Sequence, residues 1–341
     1  MHIRENIPLS KLTTMRLGGP ADFVIEIESA DEVADAFNFV KDKGLPFYFL
    51  GSGANSLGLD SGFRGAIILN KIKGIKILEE SNHSLVVKVG GGEIWDNFVD
   101  FVTKKGFSGV EAMSKIPGTV GAAPVQNIGA YGQEAKDTLV SVEVYDSLID
   151  EHKEIEAKDC DFSYRHSIFN SGETKGRYFI LTATFRFTER ELKSPFYGSL
   201  QGYLDAHEIH DYSPQSIRAA VSAIRAEKLP DPEKFASAGS FFKNIILNKT
   251  EAELAAKKDI PMRETLDGNY KVNTGWLLED AGLKGKVFHG FKVSDKAALV
   301  LINESAKSYK DLEKATAEIQ SIIKQKYNLA LEPEPVKIEV D

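Results

Sequence analysis

Phe47-Tyr48-Phe49-Leu50-Gly51-Ser52-Gly53-Ala54-Asn55-Ser56-Leu57-Gly58-Leu59 is an apolar run that empties directly into a glycine-rich loop. Four consecutive large apolar residues bounded by turn formers read as a buried strand. Upstream, Ser29 with Glu32 has the form of a capping box, Val33, Phe37 and Val40 make one apolar helical face, and Gly44 ends it. Downstream, Ala66 to Leu69 reads as another strand, so the chain opens as β-α-β. The loop from Gly51 to Ser56 offers backbone N–H groups free of Cβ obstruction, with small hydroxyl and amide donors, as a pyrophosphate requires. It is not GxGxxG, and no helical pattern starts there, so a Rossmann dinucleotide fold is unsupported.

A second region begins near Lys71. Leu85 to Val89 is a strand ending in Gly90-Gly91-Gly92, and Trp95, Phe98, Val99 and Val102 are spaced for an amphipathic helix stopped at Gly106. From Ile116 to Glu134, IPGTVGAAPVQNIGAYGQE has no helical period, and a loop of this length inside a compact domain is usually functional. Its Pro117–Pro124 portion, with Gly118 and Gly121, has the character of the first loop. Either loop alone is more often a turn than a ligand cradle; the pair raises a cofactor cradle to equal standing. Strands at Val140 to Tyr145 and Arg177 to Phe187 make this region α+β. Ser213-Pro214 opens a helix with Ile217, Ala220, Val221 and Ile224 on one face, ending before Leu229-Pro230-Asp231-Pro232, where a domain boundary is expected. A helix around Trp276-Leu277-Leu278, a strand at Ala298 to Ile302, a long helix from Ser308 and a closing strand from Leu331 to Val340 follow.

At 341 residues the chain exceeds one ordinary core and predicts two or three domains. A net charge of −8 without a basic domain argues against nucleic-acid binding. No apolar run reaches membrane-span length, and the N-terminus lacks a signal h-region, so a cytoplasmic protein without a membrane partner is expected. The single cysteine, Cys160, excludes an internal disulfide and has no activating motif. The seven histidines show no ligand spacing, so no metal is expected.

Three further segments carry chemistry. AGSFFKN, Ala238 to Asn244, puts Ser240 after a small-residue run in what reads as a sharp turn, anchored by Phe241 and Phe242. Arg165 lies in DFSYRHSIF ahead of a turn at Asn170-Ser171-Gly172. It is either a salt-bridge residue or a fork for a carboxylate. Glu334 sits between Pro333 and Pro335, either on a solvated edge strand or at a site.

In order, TTMRLGGPAD (13–22), GSGAN (51–55), IPGTVGAAPVQNIGAYGQE (116–134), YRHSIF (164–169), KLPDP (228–232), AGSFFKN (238–244), AGLKG (281–285), ALVLIN (298–303) and LEPEP (331–335) resemble the UDP-N-acetylenolpyruvoylglucosamine reductase family, also called UDP-N-acetylmuramate dehydrogenases. Ser194 to Leu200 resembles the extra substrate-channel segment of its type I members. Ala54 and Ala122 stand where serines are common in the family, and Pro335 stands in place of a valine.

The resemblance implies a mixed α/β and α+β fold. Its parts are a two-part FAD-binding module of the vanillyl-alcohol-oxidase kind (1–70 with 329–341, then 71–228) and a C-terminal α/β substrate-binding domain (229–328). It implies NADPH-dependent reduction, through FAD, of UDP-N-acetylglucosamine enolpyruvate to UDP-N-acetylmuramate in peptidoglycan precursor synthesis, with NADPH and substrate using one pocket in turn. Carried over by position, the catalytic residues are Arg165, Ser240 and Glu334. The cofactor contacts are Gly51, Ser52, Gly53, Ala54, Asn55, Gly118, Gly121, Ala122 and Gly129, and the substrate contacts are Tyr131, Tyr164, Tyr197, Lys228 and Asn244. A monomer is expected. Another FAD-dependent oxidoreductase, or a non-catalytic nucleotide-sugar binder, would share the glycine loops without needing the Arg165, Ser240 and Glu334 set.

Overall fold

A computed structural model describes residues 1–189, 192–231, 233–265 and 268–340. Pro232 of the expected boundary and Asp341 at the chain end lie outside the described residues. The opening sheet has four strands, in the order His2–Pro8, Pro20–Ile27, Phe63–Asn70, Phe47–Leu50. The first pair is antiparallel; the 20–27, 63–70 and 47–50 strands run parallel, as a β-α-β crossover demands. The crossover helix is Val33–Asp42, which buries Val33, Phe37 and Val40 and closes at Gly44 with φ 60°. The Ser29 side chain does not cap it: a 3-10 turn, Ala30–Glu32, comes first, and the Glu32 carboxylate accepts from the Glu28 N–H at 2.8 Å instead.

The second region is an antiparallel five-stranded sheet, in the order Glu151–Glu156, Leu139–Asp146, Tyr178–Thr188, Ser84–Gly90, Ile75–Glu80. The helix Trp95–Lys104 lays Trp95, Phe98, Val99 and Val102 on it, all fully buried. Phe98 meets Phe185 at 5.0 Å between ring centroids. Each such aromatic contributes roughly 1.5–3 kcal/mol by burial. Cys160 is buried in the same cluster, and desolvation pushes its thiol up to about 12, which leaves it inert at neutral pH.

The helix Pro214–Lys228 caps this region. Its Ser213 hydroxyl accepts from the Ser216 N–H, and Arg218 forks onto Asp96 at 2.6 and 3.1 Å. Arg218 and Lys115 hold the Asp96 carboxyl well below the usual carboxylate range, even against its burial. This tie is expected to be intact at neutral pH and to be lost only as pH falls through that lowered range. Arg218→Ala should lower the melting temperature at pH 7 by several degrees with little further effect in strong acid; a loss of equal size at both extremes would contradict it.

The last region has a four-stranded antiparallel sheet, in the order Ala236–Ser240, Val300–Asn303, Phe291–Val293, Val287–Phe288, and a three-stranded one, Ile245–Leu247, Tyr270–Val272, Met262–Glu264. The helix Tyr309–Tyr327 buries Leu312, Ala315, Ile319 and Ile323 against Phe241, Leu277 and Phe291. Met15, Leu17 and Leu57 join that core while Leu50 is buried in the opening region, so the first glycine loop is anchored on both sides. The chain end returns to the opening region, as expected, but as a short strand: Val336–Ile338 pairs in parallel with Ser56–Gly58. Pro333 and Pro335 lack the N–H a longer ladder would need.

Candidate active site

Tyr164 and Arg165 form the tip of a two-residue hairpin, because Ser163 and His166 exchange both backbone hydrogen bonds at 3.2 Å. Arg165 has φ 57°, an unusual conformation for a side chain this large, which stores about 1–3 kcal/mol. The Asn170 amide holds it there by donating to the Arg165 carbonyl at 3.1 Å. The sequence places a turn at 170–172, and that turn is what braces the hairpin; the hairpin itself has no glycine to announce it.

Arg165 Nε donates to Glu334 Oε1 at 2.9 Å, with only 22% and 10% of the two side chains exposed. Both terminal Nη atoms make no hydrogen bond among the described residues. The guanidinium is therefore gripped on one edge and open on the other, and the open edge presents the planar donor geometry that suits a carboxylate.

Backbone lacing brings Ser240 and Glu334 into one neighbourhood. The Glu334 N–H donates to the Phe241 carbonyl at 2.9 Å, Lys243 N–H to the Glu332 carbonyl at 2.9 Å, and Phe242 bridges Pro333. The expected sharp turn at Ser240 is instead a bulge in an edge strand. Gly239 takes φ 69° and the pairing with Val300–Asn303 shifts register between Ser237 and Ser240. A bulge re-aims the residue that follows it, and Ser240 is exposed.

Past Glu334 the chain reaches the first glycine loop. Val336 N–H donates to the Asn55 carbonyl at 2.9 Å, and the Asn55 amide donates to Gln126 Oε1 at 2.8 Å and reaches the Glu334 carbonyl at 3.5 Å. Asn55 thus ties together the two glycine loops and the Glu334 strand. The loops face each other: a Cβ on Gly51 would sit 3.0 Å from the Ala122 Cβ, and one on Gly121 3.0 Å from the Gly91 Cα. Gly53, with φ 70°, admits no side chain, since its Cβ would lie 2.0 Å from the Leu12 carbonyl oxygen. The backbone N–H groups of Ser52, Gly53, Ala54 and Asn55 make no hydrogen bond among the described residues. Four successive unclaimed N–H groups on a tightly backed loop fit the diphosphate of FAD. Gly118, with φ 143°, has open space on its Cβ side, whereas Gly129 pairs with Glu134 in a short ladder just beyond the second loop. Gly53→Ala should therefore give protein that folds but keeps FAD poorly, read as lost visible absorbance after gel filtration; full retention would show that the loop tolerates a methyl group.

Tyr164 is half-buried and lies beside Asn244. Burial, the leading cause, pushes its phenol up. Asn244 is fixed in turn, its side-chain oxygen accepting from the Thr274 N–H at 3.1 Å. Lys271, which the sequence did not single out, lies 4.3 Å above the Tyr164 ring, with Arg165 5.3 Å from the same ring. It belongs to the strand opposite Ile245–Leu247, where only alternation within a three-residue strand pointed inward. Burial, then Arg165, pulls its ammonium down. Tyr131 and Tyr197 stand apart from this cluster, edge to face at 6.0 Å. Lys228 lies exposed at the end of its helix.

Among the described residues no helix is long and apolar enough to cross a membrane, and no group of His, Cys, Asp or Glu is placed to hold a metal. Residues 21–148 match the FAD binding domain family, and residues 231–338 match the C-terminal domain of UDP-N-acetylenolpyruvoylglucosamine reductase. With the glycine cradle this defines the class: an FAD-dependent oxidoreductase that carries a reductase C-terminal domain beyond its FAD-binding domain. A curated UDP-N-acetylenolpyruvoylglucosamine reductase of Bdellovibrio bacteriovorus is 35% identical over 338 residues, covering 99% of this chain and 100% of its own length. One from Ralstonia nicotianae is 36% identical, covering 97% and 98%. The crystal structure of the reductase from Thermus caldophilus shares the fold, with a TM-score of 0.66 and 22% identity over 98% of this chain. The chain belongs to the UDP-N-acetylenolpyruvoylglucosamine reductase family.

Proposed function

We propose that the protein reduces UDP-N-acetylglucosamine enolpyruvate to UDP-N-acetylmuramate, using NADPH and FAD, in peptidoglycan precursor synthesis. Family membership over essentially the full length supports this, and the observation that carries the site assignment is the half-open Arg165 guanidinium, held by Glu334, whose own backbone is bonded to Phe241 next to Ser240.

When bound, FAD supplies the two-electron chemistry that links NADPH to the enolpyruvyl double bond. Saturating that bond puts hydride on the β carbon and leaves negative charge on the α carbon and its carboxylate. Arg165 offers its free Nη edge to that carboxylate, and the charge it stabilises grows as the bond is reduced, which is where fixed charge lowers a barrier most. Glu334 orients the fork and keeps its positive charge partnered before substrate arrives. Lys271, over Tyr164, adds a further cation to the same wall. Ser240, aimed outward by the Gly239 bulge, donates its hydroxyl proton to the α carbon. Asn244, Tyr164, Lys228, Tyr131 and Tyr197 position the nucleotide sugar, and the loops at 51–55 and 118–122, with Gly129 behind them, hold the cofactor.

We assign the domains as residues 1–70 with 329–341, 71–228 and 229–328, a division supported by the return of Val336–Ile338 to pair with Ser56–Gly58. We further assign a cytoplasmic monomer with no nucleic-acid or membrane partner, in keeping with a net charge of −8; sedimentation of the pure protein tests the monomer. The reaction itself is tested anaerobically. NADPH should bleach the visible absorbance, and the enolpyruvyl nucleotide should restore it with formation of the lactyl ether. Bleaching that only oxygen reverses would leave a flavoprotein with another substrate.

A further inference from the structure

Arg225, on the helix Pro214–Lys228, is half-buried, and its Nε is shielded from solvent without a hydrogen-bond partner among the described residues. No carboxylate among those residues pairs with it, and the polar group it approaches is the neutral phenol of Tyr131. Asp96, the acidic group that bears on it, has its oxygens taken by Arg218 and Lys115. A desolvated guanidinium with a single neutral partner is unfavourable in the free protein, and a bound oxyanion removes the deficit. Tyr131 is itself held at φ 48°, and with Tyr197, Pro195, Phe196 and Gln133 it lines a cavity of about 500 Å³. Lys228, one turn further along the helix, is an exposed cation.

We propose that Arg225 is the buried anchor for a diphosphate oxyanion of the nucleotide that occupies the site, received at the Tyr131 hydroxyl beside the Tyr131–Tyr197 cavity. This rests on the nucleotide-sugar reading above. UDP-sugar and NADPH both carry a diphosphate, so the two are separated by measurement. Dissociation constants of UDP-N-acetylglucosamine and of NADP⁺ are determined on FAD-loaded wild type, Arg225→Met and Arg225→Lys by calorimetry. Arg225→Met should bind at least one of them tenfold or more weakly, about 1.4 kcal/mol, with FAD content and melting temperature preserved. Arg225→Lys, which keeps the charge without the fork, should fall between. Weakening confined to one nucleotide identifies whose diphosphate is anchored; weakening of both assigns a shared subsite. Affinities for both within about twofold of wild type would overturn the proposal, as would loss confined to FAD. Should Arg225→Met not fold, wild-type affinities in Arg225→Lys would overturn it equally. Wild-type protein that binds neither nucleotide would instead remove the nucleotide-sugar reading.

Discussion

Ser240→Ala should lower kcat by about 10²–10⁴-fold, the usual size of a general-acid contribution, while FAD content and melting temperature stay at wild-type values. The side chain is exposed, so no packing is lost, and the conformation at this point belongs to Gly239, whose φ of 69° an alanine at 240 does not disturb. The strand pairing with Val300 and the anchoring of Phe241 and Phe242 use backbone and aromatic groups that the substitution leaves alone. What goes is one hydroxyl. Ser240→Cys should recover part of the rate, since a thiol also donates a proton. Full activity in the alanine variant would make Ser240 a bulge residue and nothing more.

Arg165→Lys comes second in size. A lysine keeps the charge but has one nitrogen where arginine has an Nε gripped by Glu334 and two Nη atoms free beyond it. It can satisfy Glu334 or the substrate carboxylate, not both in the same geometry. Losing a charge-assisted hydrogen bond of about 1.5–3 kcal/mol predicts a rate roughly ten- to a hundredfold lower. Glu334→Gln should be milder, because an amide oxygen still accepts from Nε. Equal losses in Arg165→Lys and Glu334→Gln would mean that charge at the pair matters and the fork does not.

How much of this was legible in the sequence follows from the physics of each element. Helices with a strong apolar period, such as 95–104, were readable because burial alone selects them. The strand feeding the Gly51 loop forms where expected but is not the buried strand its apolar run suggested, since it lies at a sheet edge with Phe47, Tyr48 and Phe49 only half-buried. The three-residue strands of the last region were not, since a segment as short as Tyr270–Val272 carries too little alternation to show, and Lys271 was missed with it. The glycine loops were legible as turns or cradles. What the structure adds is their opposition across Gly51 and Ala122 and the tie through Asn55. Arg165 and Glu334 are 169 residues apart, and no local signal joins them. Only their resemblance to a known ordered set of motifs put them together, and the ion pair is the physical form of that association. Arg225 was overlooked because it sits beside an apolar stripe, where a basic residue near a helix end normally reads as a solvated partner of the helix dipole.

Separating the two half-reactions tests the roles of Arg165 and Ser240 most directly. Wild type, Ser240→Ala and Arg165→Lys, each carrying FAD, are first reduced by NADPH and then mixed in stopped flow with the enolpyruvyl nucleotide without oxygen. Reduction by NADPH should proceed at nearly the same rate in all three, while reoxidation by the nucleotide falls by about 10²–10⁴-fold in Ser240→Ala and roughly ten- to a hundredfold in Arg165→Lys. Both half-reactions slowed alike, or reoxidation unchanged in both variants, would contradict the assignment of Arg165 and Ser240 to the substrate's carboxylate and α carbon.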